Sequence, residues 1–328
     1  MNLKHGVFTV SLDFELYWGI RDKRSIEQYK YNLQGVRKAV PEMLRMFSDN
    51  DIHATWATIG FLFFNDSDDL NKNIPKLLPK YNKEELLPYK YIKETSDLET
   101  AYHFAPAIIE LILEHDGQEI GTHTFSHYYC LEEGQSLAQF EEDIFSAIKI
   151  AKRKGISIKS LVFPRNQWNA EYLSTLIKLG VQCYRGNESS WMYKASDDVG
   201  QNKLQRAFRL IDAYLNLSGH NTYDLKDCIQ EKPFNFPASR FLRPYSDKLA
   251  VLDRLRLRRI KNAMDDAAIN NRIFHLWWHP HNFGINTNKN IDFLAKIVEH
   301  YNRLKKNHGM VSLNMGELCL LPGASNGE

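Results

Sequence analysis

Six short runs rich in β-branched and aromatic residues recur along the chain, at about 7–15, 54–60, 119–123, 160–164, 183–186 and 273–279. Each ends in, or is followed at once by, polar residues or glycine, and helix-length segments separate them. Strands alternating with helices must lie parallel, because the chain returns to the same end before each strand, so the spacing predicts an α/β fold. The expected architecture is a distorted (β/α) barrel of about seven parallel strands with long, elaborated loops. One helix is legible in detail: Pro106 suits a first turn, the apolar residues 108–113 supply a buried face, and Gly117 suits the position just past its end.

Two stretches exceed what a minimal barrel needs, 65–100 and 195–249, and both are expected to be loop insertions near the active-site face. No internal repeat or Gly/Ser linker divides the 328 residues, so residues 1–328 are expected to form a single catalytic domain. Composition narrows the function. With 42 Lys+Arg against 40 Asp+Glu the formal charge is +2, too balanced for a general nucleic-acid binder. No stretch approaches the roughly 18 uninterrupted apolar residues of a membrane span, and the start has no secretory h-region. The four widely spaced cysteines form no CxxC pair, which suits buried, reduced thiols. A cytoplasmic location is the expectation, and the oligomeric state stays open.

The chemistry gathers at three strand ends. In Ser11-Leu-Asp-Phe-Glu15, alternation puts Asp13 and Glu15 on one face with Thr9 and Ser11, while Phe8, Val10, Leu12 and Phe14 share the other. Polar residues would line the barrel interior and apolar ones would meet the helices. Taken alone, the pair is as readily a solvated acidic turn. In Glu119-Ile-Gly-Thr-His-Thr-Phe-Ser-His127, two histidines four apart would share a face if the chain turns helical after Gly121. With one carboxylate they would form an N,N,O set that leaves positions open for water and substrate; a chance pair on a helix surface is the plainer account. In Ile273-Phe-His-Leu-Trp-Trp-His279, His275, Trp277 and His279 share a face before Pro280 ends the strand. A histidine there could protonate a departing amine, or could be structural. Trp277 could offer a flat face to a sugar ring.

These pieces, in this order, resemble the polysaccharide deacetylase family (carbohydrate esterase family 4), and the resemblance covers most of the chain. Ser11–Glu15 is similar to the family's first motif, residues 54–60 to its second strand, and Glu119–His127 to its metal-binding histidine motif. The resemblance implies metal-assisted hydrolysis of an N-acyl amino sugar, with zinc, or else cobalt or nickel, as the ion. It implies Asp13 as the base and His279 as the acid, with His281 as a fallback or a substrate contact. The family's first motif has two adjacent aspartates, whereas Phe14 stands at the second position here. Glu15, on the same face as Asp13, is therefore the expected third ligand with His123 and His127. The family's third motif has Arg shortly before Pro, but this chain has Phe163-Pro-Arg-Asn166. Arg165 is the residue expected to pair with Asp13.

The expected substrate is a nucleotide- or lipid-linked precursor of surface polysaccharide. Between Arg240 and Lys261, eight basic residues stand against two acidic ones. Most suit the solvated face of a helix, while Arg240 and Arg243, in a proline-bounded segment, are the expected phosphate contacts. Two rival readings keep the fold: a deformylase or ureide-type amide hydrolase, and a catalytically silent sugar-binding module.

Overall fold

The computed structural model describes residues 3–197, 200 and 203–321; part of the expected 195–249 loop, at 198–199 and 201–202, lies outside them. Its first strand, β1 (Val7–Phe14), is buried along its whole length, as a strand flanked on both faces must be. Phe8, Val10, Leu12 and Phe14 pack into the main core under the helices. Thr9, Ser11 and Asp13 point inward and are equally buried, so the alternation of the sequence is the alternation of the barrel wall.

The other strands are β2 (Ala54–Thr58), β3 (Gln118–Thr122), β4 (Ser160–Val162), β5 (Cys183–Arg185), β6 (Phe234–Asn235), β7 (Arg240–Phe241), β8 (Ile273–Trp278) and β9 (Val311–Ser312). Among the described residues they form one sheet in the order β6-β5-β4-β3-β2-β1-β8-β7, with β9 beside β1. Every ladder is parallel. The sheet curls into a distorted (β/α) barrel. The six strands of three or more residues match the expected runs, and three two-residue strands bring the count among the described residues to nine, against the expected seven or so.

The seam is closed by one continuous stretch of chain. Phe236 and Ala238 donate their amides to Tyr184 and Gly186 on the β5 side, whereas Ser239 and Leu242 donate theirs to His275 and Trp277 on the β8 side. The segment changes partner between Ala238 and Ser239. At the floor, the turn Met315–Leu318 plugs the barrel, and Glu119 accepts bonds from Thr55, Ser160 and the Gly316 amide.

The helix Ile26–Asp49 starts at a Ser25–Gln28 capping box, which satisfies amides its first turn would leave bare. It lies against the turn Pro280–Phe283 so closely that a Cβ on Gly35 would come within 1.9 Å of the Gly284 carbonyl oxygen. Asn32 adds a bond to the His281 carbonyl. The end of β8 is thereby fixed against a rigid neighbour. The helix starting at Pro106 ends at Leu113. Gly117, in the left-handed region at φ 75°, serves the turn into β3 rather than the helix terminus. All four cysteines are buried, unpaired thiols, and no described helix is long and apolar enough to cross a membrane.

Candidate metal and catalytic centre

Glu15 follows β1 directly and folds its carboxylate back over the short turn Leu16–Gly19. Glycine is required at the end of that turn: a Cβ on Gly19 would lie 2.0 Å from Glu15 Oε1. Burial alone would raise the Glu15 carboxyl, but His279 and the neighbouring His123 and His127 rings hold it well below the usual range.

His123 and His127 do meet, though by a different route from the helix expected after Gly121. β3 ends at Thr122, and the following residues form an irregular loop with Thr124 and His127 at positive φ, 65° and 61°. These turns fold the loop back on itself. Asp143 pins it, accepting from the Phe125 amide at 2.7 Å and from the Ser126 hydroxyl. Burial lifts the Asp143 carboxyl to about 6 despite those bonds.

His123 Nε2 lies 3.2 Å and His127 Nε2 3.1 Å from Glu15 Oε2. One ligand atom from each of the three buried residues falls within 4.8 Å of the others. The tautomer of His123 makes this arrangement informative. Its Nδ1 lies 2.8 Å from the Val162 carbonyl oxygen, which can only accept, so in the neutral ring Nε2 carries a bare lone pair. That nitrogen is buried without a hydrogen-bond partner and faces a carboxylate. Two lone pairs so placed repel each other unless a cation lies between them, and the donor set fits a divalent ion. His127 Nδ1 is held 3.0 Å from the Tyr129 hydroxyl, and burial pushes His127 down to about 4, which keeps the ring neutral and able to bind.

Asp13 stands beside this set. Its partner is Arg185, which forms a bidentate pair at 2.7 and 2.8 Å. Against the upward push of burial, that guanidinium holds Asp13 below its usual value. Arg165, expected in this role, instead pairs with Asp22 at 2.6 Å and lies over the Tyr129 ring. The reason is geometric. Arg165 sits at φ 55° in the turn after β4, which sends it outward, whereas Arg185 ends β5 on the inward face with Cys183. The same alternation that exposed Asp13 could have found Arg185.

His279 Nε2 lies 3.5 Å from Glu15 Oε1 and 3.8 Å from Asp13 Oδ2, with 23% of its side chain open to the cleft. His281 is 4.0 Å from Glu15 and almost fully enclosed. Burial and the neighbouring His279 push it down to about 3, so near neutrality the ring is neutral and lacks the acidic imidazolium proton. Trp277 forms the cleft wall rather than an open platform, because Arg185 covers its ring at 4.1 Å and Phe241 packs at 4.6 Å. The cleft encloses about 370 Å³.

Of the two expected phosphate contacts, Arg240 already has a protein counter-charge. It is buried and paired with Asp212, which also takes Arg259 at 3.5 Å and the Tyr193 hydroxyl at 2.8 Å. Asp212→Ala would strand two buried guanidinium groups, and a loss of about 3–5 kcal/mol in urea unfolding is expected. Arg243 lines a neighbouring cavity.

Residues 33–184 match the family model described as polysaccharide deacetylase. Over that segment the chain is similar to the polysaccharide deacetylase family. The family so described is one of amide-hydrolysing deacetylases. The fold is shared with a polysaccharide deacetylase described as putative from Mycobacterium smegmatis (TM-score 0.55, 12% identity, 96% of this chain and 90% of that one). It is also similar to Puue allantoinase (TM-score 0.53, 10% identity, 96% and 88%). A third similar structure is 4-alpha-glucanotransferase from Thermococcus litoralis (TM-score 0.51, 10% identity, 96% and 40%). No curated protein sequence matches the chain.

Proposed function

We propose that residues 1–328 act as one catalytic domain, a metal-dependent hydrolase removing an N-acyl group, acetyl above all, from an amino sugar. Its substrate on this reading is a cytoplasmic nucleotide- or lipid-linked precursor in surface polysaccharide biosynthesis. The observation that carries the chemistry is the bare, buried Nε2 of His123 facing Glu15 beside His127. Glu15, His123 and His127 would hold the ion, zinc before cobalt or nickel by the mixed N,N,O set. Once bound, it supplies Lewis acidity to the acyl carbonyl and to the attacking water.

The remaining work falls to the chain. Asp13, kept ionised and oriented by Arg185, accepts the proton of the attacking water. His279, next to Asp13 and open to the cleft, gives a proton to the departing amine. The insertions at 65–100 and 195–249 serve as walls: the Tyr81 hydroxyl of the first accepts from the Tyr129 amide behind His127, and the second contributes Phe241 to the cleft.

The test is acetate release by zinc-loaded protein from UDP-linked N-acetyl sugars and from free chitooligosaccharides. Release from neither, with no stoichiometric metal, sinks the hydrolase; release from the free oligosaccharides alone sinks the linked-precursor substrate. A pH prediction follows from burial. Protons compete for His127 only near its depressed value of about 4, and Glu15 stays ionised below its usual range. Zinc should therefore survive dialysis at pH 5 and leave as the pH falls through about 4. Half-loss near the ordinary histidine value would contradict this account.

A further inference from the structure

The catalytic cleft does not end at Trp277. Arg165, Asn166, Phe241 and Trp277 are shared with a second cavity of about 220 Å³, walled by residues within 187–196, by Arg209 and Ala213, and by β7. Its lining is markedly cationic. Lys194, Arg209, Arg240 and Arg243 join Arg165 there, and Glu188 is the single carboxylate among the lining residues. Two of these cations already have counter-charges outside the lining, Arg165 in Asp22 and Arg240 in Asp212.

Arg243 differs. Its guanidinium takes part in no ion pair or hydrogen bond with the described residues; it lies 6.0 Å from the Phe241 ring. The side chain is half-buried, and burial pushes its pKa down. A guanidinium withdrawn from water without a counter-charge is costly, and an anion in the cavity would offset that cost with charge-assisted, bidentate bonds. Further groups await a polar ligand. Asn187 Oδ1 and Glu188 Oε1 are buried acceptors with no hydrogen-bond partner among the described residues, suited to hydroxyl groups. At about 220 Å³ the cavity is smaller than the roughly 300–1,000 Å³ of a drug-sized ligand site. It suits one charged group rather than a run of polymer.

We propose that this cavity binds a carboxylate or phosphate carried by the amino-sugar substrate, with Arg243 as the ion partner of that group. The assignment rests on the deacetylase reading only for which molecule brings the anion. Position supports it, since the shared wall puts the anion one cavity away from the scissile amide.

Calorimetric titration of the zinc-loaded full chain separates the possibilities, using N-acetylglucosamine, N-acetylglucosamine 1-phosphate and the corresponding C6 carboxylate. The anionic probes should bind at least ~10-fold more tightly than the neutral one, the range expected for one charge-assisted contact. Preference between them identifies phosphate or carboxylate as the group selected. In Arg243→Gln the anionic advantage should fall to within ~3-fold of unity, and Arg243→Lys should restore part of it. Equal affinities in the unaltered protein overturn the proposal, even if a variant fails to fold. An anionic advantage that survives in folded Arg243→Gln also overturns it. Acetate measured in the same mixtures reports on the deacetylase reading separately. Acetate release without any anionic advantage sinks the cavity assignment alone, whereas an Arg243-dependent advantage without acetate sustains it and sinks the deacetylase.

Discussion

His123→Ala is expected to abolish bound metal and acetate release together. The ring is buried, fixed by the Val162 carbonyl, and presents its only free nitrogen to Glu15. Without it, one imidazole and one carboxylate remain, too few to hold zinc in a three-residue catalytic site. Elemental analysis and an acetate assay on the same preparation check the result, with thermal unfolding confirming that the variant is folded. Full activity in a metal-free variant would refute the centre. A conservative comparison is Asp143→Asn, which touches the loop but none of the three ligands.

The second large effect is expected from His279→Ala: metal retained, and kcat lowered by ~10²- to 10⁴-fold, the usual worth of a positioned general acid. His279 is outside the three-residue set yet lies within 3.8 Å of Asp13. It can therefore act on the substrate without holding the ion. His281→Ala should lower kcat less, because that ring is enclosed and neutral. Normal kcat in His279→Ala would remove it as the acid.

Much of this centre was legible because strand alternation is a strong constraint. Asp13 and Glu15 could share the interior face only if Phe8, Val10, Leu12 and Phe14 faced the helices, and they do. The His123–His127 pair was recognisable by its residues, but its folding was not. Two positive-φ turns and the distant Asp143 carboxylate create the approach, and neither leaves a periodic trace. Arg165 and Arg185 show the opposite difficulty. Order along the chain favoured Arg165, while the face of the strand favoured Arg185, and face decided. Arg240 misled for a third reason: an irregular, proline-bounded segment suggested exposure, yet Asp212, 28 residues away, buries it. The two-residue strands β6, β7 and β9 carry no alternation of their own. Ladder partners define them.

The seam between β5 and β8 acts as a ruler. The few residues from Phe236 to Leu242 span the gap while bonding to both edges, so their number sets how far apart Arg185 and Trp277 stand. The Phe236 carbonyl also holds His275 Nδ1 at 3.0 Å. Inserting a residue here would leave one edge in place and shift the other by a residue, exchanging its inward and outward side chains. Loops elsewhere can lengthen during divergence at little cost. This stretch has to keep its length, which makes it the natural landmark for aligning remote relatives whose motifs have drifted.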